Sequence, residues 1–162
     1  MTEREQIADK AAELFANGFH CSQAVLDACS GLFREEEPPP ELLAALSSFA
    51  GGMGQSGQVC GALSGALATI GFTLGKTEPK GDNHKLLNIL NQGMIKEFAK
   101  ISQQYGGMNC SDIAAVDWSD QAAVQKFRMD PDSSRQNCIR MVRETGEILY
   151  DLVQENFPQK KE

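Results

Sequence analysis

Strand signals are nearly absent: no alternating run rich in Val, Ile, Thr and aromatics occurs along the 162 residues, which argues against a sheet-based fold. Excess positive charge is missing too. Fifteen Lys and Arg stand against 22 Asp and Glu, a net charge of −7, so no basic surface exists to grip phosphates and nucleic acid is not an expected partner. The opening Met1-Thr2-Glu3-Arg4-Glu5 is charged at once, unlike a secretory signal, and points to the cytoplasm. There are five cysteines but no C-x-x-C pair and no C-x-x-C-H. The commonest dithiol motif is therefore missing, and no covalent haem is expected.

One long stretch, Leu42 to Gly75, lacks charge altogether. Its middle, Gly51 to Gln58, holds four glycines and would offer unpaired backbone groups to lipid. The apolar part from Val59 to Leu74 is short for a span and diluted by Ser64, Thr69 and Thr73, so a buried helix is expected and no membrane insertion. The glycine loop superficially resembles a phosphate-cradling turn. It follows a helix and has no P-loop lysine, so nucleotide binding is discounted.

What the chain does have is helical periodicity throughout, and the length suits one domain over 1–162. The expected fold is all-α: a single-domain compact bundle of about six to eight helices with no significant sheet. Thr2 and Glu5 form a capping box for the first helix, which Asn17-Gly18 ends. A second helix starts near His20. Glu35 to Pro40 forms a charged, proline-stiffened internal linker before a third helix over Glu41 to Ala50. Ser56 is the expected cap of a fourth helix running to Gly75, whose Gly57, Gly61 and Gly65 make a side almost without side chains. That side could receive another helix of the chain or a second copy in a homodimer; the intrachain option is preferred because a single domain first needs its own core. A fifth helix begins near Asp82 and ends at Gly106-Gly107, and a short one opens at Asn109. Ser119 is read as the cap of another, and Ser133 with Gln136 as the capping box of the last. Pro158 ends that helix, leaving 158–162 as a frayed tail.

On this map four cysteines fall at the starts of four helices. Cys21 lies in the first turn of the second helix and Cys60 about one turn into the fourth. Cys110 follows the Asn109 cap, and Cys138 lies about one turn beyond Ser133. The partial positive charge and free N–H groups of a helix start favour thiolate, the form that attacks disulfides and binds metals. Cys21, Cys60 and Cys138 share apolar stripes that face the core, so the four sulfurs could converge at one end of the bundle. Cys29 ends its helix and reads as a small core residue. His20 adjoins Cys21 without a pattern that assigns it a role, and His84 has no partner in sequence.

The order of these motifs resembles the redox-active protein family named C_GCAxxG_C_C. The resemblance rests on Cys21-Ser22-Gln23-Ala24-Val25-Leu26, on Cys60-Gly61-Ala62-Leu63-Ser64-Gly65, and on Cys110 and Cys138, with Gly51-Gly52-Met53-Gly54 and Ile70 to Gly75 alongside. It extends from about Phe15 to Tyr150. The family name writes glycine before cysteine, whereas Val59 precedes Cys60 here and Gly61 follows it. The resemblance implies a redox role but no known substrate. A similar domain occurs in some multi-haem cytochromes, which keeps electron transfer open.

Three readings stay open. In the first, Cys60 and one of Cys21, Cys110 or Cys138 cycle between dithiol and disulfide, as in a thiol-based oxidoreductase, with a redox protein or a small thiol or electron carrier as partner. In the second, Cys21, Cys60, Cys110 and Cys138 hold an iron–sulfur cluster or zinc. The third is a non-catalytic helical interaction module.

Overall fold

A computed structural model describes residues 1–157. Eight helices follow in order: α1 (Glu3–Ala16), α2 (Cys21–Cys29), α3 (Pro40–Leu46), α4 (Gly61–Leu74), α5 (Leu87–Ser102), α6 (Cys110–Ile113), α7 (Gln121–Met129) and α8 (Arg135–Asn156). Among the described residues the only ladder pairing is one antiparallel bridge between Val59 and Asn109. The fold is an all-α bundle. The expected end at Pro158 and the tail 158–162 lie outside the described residues.

Helices α1, α2, α4, α5 and α8 build the bundle, with α8 running against α1, α5, α2 and α4. The core is continuous through them: Val25, Leu63, Ile70, Leu90, Met94, Phe98, Met141, Val142 and Leu149 are buried together. Helix α4, the apolar part of the charge-free run, has most of its residues buried or half-buried against α2, α5 and α8. No helix among the described residues is long and apolar enough to cross a membrane.

Several boundaries differ from the sequence reading, each for a local reason. The Thr2–Glu5 capping box forms as expected, with Glu5 N–H donating to Thr2 Oγ1 at 3.2 Å. Pro40 is the first residue of α3 rather than the end of the linker; a missing N–H costs nothing at that position and the fixed φ suits a helix. Ser56 does not cap α4. Its hydroxyl donates to Gly52 O and Met53 O, at 2.8 Å each, inside the glycine loop, so the helix starts later, at Gly61 with Cys60 as its N-cap. Ser119 donates to Asp117, and Asp120 caps α7 by accepting from the N–H groups of Ala122 and Ala123. Ser134, not Ser133, precedes α8, and Gln136 donates to Pro131 O instead of closing a box. Helix α5 begins at Leu87, past the expected start at Asp82.

The glycine side of α4 is spent inside the chain. A Cβ on Gly61 would overlap Cys21 Sγ, and one on Gly65 would lie 2.5 Å from Ser22 O and 2.8 Å from Ser22 Cα. These two glycines let the start of α2 lie directly on the start of α4. Gly57 is not helical; its φ is +74° and it packs on Ser111.

Candidate functional site

The N-terminal ends of α2, α4, α6 and α8 open onto one cleft of about 530 Å³, and Cys21, Cys60, Cys110 and Cys138 all line it. Three local devices bring them there. Ser22, buried, donates to Leu46 O at 2.8 Å, and Gln23 donates to Leu43 O and Ser47 Oγ, which fixes the first turn of α2 on α3. The bridge at Val59 and Asn109 ties two cysteines together: Cys60 N–H donates to Met108 O at 3.0 Å and Cys110 N–H to Gln58 O at 2.7 Å. The start of α8 is held on α6 by Asn137 Nδ2 donating to Ile113 O and Ser134 Oγ donating to Ala114 O.

The glycine loop forms one wall. Five successive residues, Gly51 to Gln55, have φ between +60° and +73°, a left-handed turn that Met53 and Gln55 adopt at a cost. Gly52 must be glycine, since a Cβ there would strike the Gln58 backbone and Cys110 Cβ. The N–H groups of Met53, Gly54 and Gln55 donate back to Phe49 O, Ser48 O and Ala50 O, and those of Gly57 and Gln58 to Gly51 O and Gly52 O, so these five donors are spent on holding the loop.

Electrostatics separates the four thiols, and here the expectation of four thiolate-favouring sites needs correction. Only Cys21 is held below the usual thiol range. Hydrogen bonding to the Cys60 thiol is the main cause, outweighing burial, with help from the N–H groups of Ser22, Cys21 and Gly61. Cys60 is pushed well up by its bond to Cys21, by burial and by the charge on Cys21. Burial raises Cys110 and Cys138, and the Cys21 thiolate adds to both. For these three, lost solvation exceeds what a helix start supplies. Exposure divides the main pair as well: Cys21 is half-buried and Cys60 buried.

Cys29 lies outside the cleft in the core, and burial pushes its thiol up to about 12. The folded chain therefore keeps a proton that the unfolded chain loses near 9.0. This stabilisation is complete below that pH and is lost as pH rises toward the folded value, reaching about 4 kcal/mol. Urea unfolding should show wild-type stability falling about 1 kcal/mol more than that of Cys29→Ala between roughly pH 8 and pH 10. Parallel slopes for the two proteins would contradict a buried neutral thiol.

Of the two histidines, His20 lines the cleft as the N-cap of α2. His84 lies elsewhere, its Nδ1 accepting from Leu86 N–H at 3.1 Å. Sequence reasoning did not single out Trp118, Arg128 and Arg135, which also line the cleft; nothing in their local sequence marks them. The buried Trp118 Nε1–H faces Cys110 and favours its thiolate, against the larger effect of burial.

Residues 19–152 match the protein family described as "Putative redox-active protein (C_GCAxxG_C_C)". The chain belongs to this family. Cys21, Cys60, Cys110 and Cys138 of the cleft all lie within the matched residues, as do Gly61 and Gly65, the glycines that admit Cys21 and Ser22. No curated protein matches the chain. Among solved structures it is similar to the split-Soret cytochrome c of Desulfovibrio desulfuricans, whose description names a novel iron centre. The likeness has a TM-score of 0.61 at 18% identity and covers 97% of this chain and 70% of that one. At that identity it shows a shared fold.

Proposed function

We propose that the cleft is a thiol–disulfide redox site in which Cys21 is the nucleophile and Cys60 the resolving thiol. The observation that carries this is the pairing of the two: a half-buried thiol stabilised as thiolate by the buried thiol beside it. In the reaction, Cys21 thiolate attacks one sulfur of a substrate disulfide. The S–S bond breaks, one substrate thiolate leaves, and a mixed disulfide remains on Cys21. That step removes the charge and the hydrogen bond that had held Cys60 protonated. Cys60 then loses its proton and attacks Cys21 Sγ, expelling the second substrate thiolate. Two electrons pass to the substrate; one of its two thiolates takes up the proton that Cys60 releases, and the other is protonated by solvent. Cys110 and Cys138 lie close enough to be affected by the charge on Cys21 and supply a second dithiol to the same cleft.

The test is to trap the intermediate. Cys60→Ser, treated with a small disulfide, should accumulate a stable mixed disulfide on Cys21, while the wild-type chain should pass through it to an internal bond. Absence of adduct on Cys21 in the variant would overturn the assignment.

A second reading, an iron–sulfur or zinc centre on the same four cysteines, is favoured by the cleft's four-thiol donor set and by the iron centre named for the cytochrome. The donors fit in kind and number. Their spacing does not: among the described residues no three of His, Cys, Asp and Glu stand close enough to hold an ion. Protein purified without air should accordingly be colourless and hold less than one iron or zinc per chain; brown protein with stoichiometric iron would establish the metal reading instead.

A further inference from the structure

The chain carries 22 carboxylate side chains and a net charge of −7, yet none of the residues lining the four-cysteine cleft is Asp or Glu. Two arginines line it instead. Arg128 is exposed and makes no hydrogen bond or ion pair among the described residues. Arg135 donates to Phe15 O and Ala16 O at 3.2 and 3.4 Å and stacks 5.0 Å from the centroid of the Phe15 ring, again without a carboxylate. Its charge reaches the sulfurs, since it favours the thiolate of Cys138. Of the four arginines elsewhere, three are paired with carboxylates, Arg4 with Asp151 and Glu147, Arg143 with Asp9 and Glu147, Arg34 with Glu36, and Arg140 donates to the Tyr105 hydroxyl. The remaining walls include Phe15, Phe19, Trp118 and Phe127. About 530 Å³ is room for a small molecule.

From this segregation of charge we infer that the cleft takes a small carboxylate-bearing disulfide, or the thiol it yields, with apolar or aromatic bulk against the phenylalanines and its carboxylate toward Arg128 and Arg135. This rests on the thiol-exchange reading and adds the substrate class. Arg128, unpaired at the surface, would capture and orient the anion. Arg135, already fixed on the end of α1, would act as a preset positive charge deeper in the cleft. The overall charge of the protein predicts the reverse preference, because a −7 molecule repels anions and attracts cations. A measured preference for anions therefore reports the cleft.

The test uses the reduced chain and three disulfides of different charge: 5,5′-dithiobis(2-nitrobenzoate), bis(2-hydroxyethyl) disulfide and cystamine. Each rate with Cys21 is divided by that disulfide's rate with 2-mercaptoethanol, which removes intrinsic reactivity. At low salt the normalised rate for the anionic probe should exceed that for cystamine by about tenfold, and the ratio should shrink as salt is added. Arg128→Gln should narrow the ratio about threefold, and Arg128→Lys, which keeps the charge, should restore most of it. Equal normalised rates, a preference for cystamine, or an anion preference that Arg128→Gln leaves intact would overturn the inference alone. Failure of Cys21 to react with any of the three would overturn the thiol-exchange reading, and this inference with it.

Discussion

Iodoacetamide at neutral pH should modify Cys21 ahead of the other four cysteines by at least about tenfold, and Cys21→Ser should slow the fastest labelling phase by the same factor. Two independent features lead to the same residue. Cys21 is the thiol held below its ordinary range, so it carries the largest thiolate fraction. It is also half-buried on the cleft, whereas Cys29, Cys60 and Cys110 are buried. Cys138 is equally half-buried but is kept protonated, chiefly by burial, so exposure alone does not make it reactive. The pH dependence gives the sign. The labelling rate of Cys21 should rise with pH and level off below the ordinary thiol value of about 8.5, and Cys60→Ala should move that profile to higher pH by removing the hydrogen bond that favours the thiolate. Peptide mapping after brief labelling would check both. Equal labelling of all five thiols, or a profile unmoved by Cys60→Ala, would contradict the pairing.

Two alanine substitutions on the same helix should change stability in opposite directions. In Gly65→Ala the new methyl would meet backbone atoms of Ser22 at 2.5, 2.8 and 3.0 Å. Backbone cannot rotate away, and Ser22 is anchored by its bond to Leu46. Removing a helical glycine gains about 1 kcal/mol, but overpacking a tight contact costs about 1–3 kcal/mol or more, and here the contact is with backbone. A net loss of about 2 kcal/mol is expected, several degrees in Tm for a chain of this size. Gly71 lies further along α4, and a methyl added there would have nothing within 4 Å, so Gly71→Ala should stabilise by up to about 1 kcal/mol. Urea unfolding of the two variants checks the pair. If both shift the same way, α2 does not lie on α4 as described.

Features decided within a few residues are legible in the sequence, and features decided by neighbours in space are not. The Thr2–Glu5 box is readable because capping is settled within four residues. The convergence of Cys21, Cys60 and Cys138 is readable because each heads an apolar stripe, and a stripe has only one core to face; Cys110 is readable only as the residue after the Asn109 cap. The start of α4 is not. Ser56 is the better cap by residue type, but the left-handed turn of Gly51 to Gln55 claims its hydroxyl and leaves Cys60 at the N-cap. A favoured thiolate is found at Cys21 and not at Cys60, Cys110 or Cys138, because a helix start is visible in sequence and depth of burial is hidden. Arg128 and Arg135 escape notice for the same reason: what matters about them is the lack of a carboxylate nearby in space.

The most direct test of the central claim is the bond that forms on mild oxidation. Reduced protein prepared without air, treated with one equivalent of a small disulfide and digested under acid quench, should yield the Cys21 and Cys60 peptides joined to each other, with Cys29 remaining as free thiol. Recovery of Cys21 and Cys60 as free thiols, or joined only to other partners, would contradict the account.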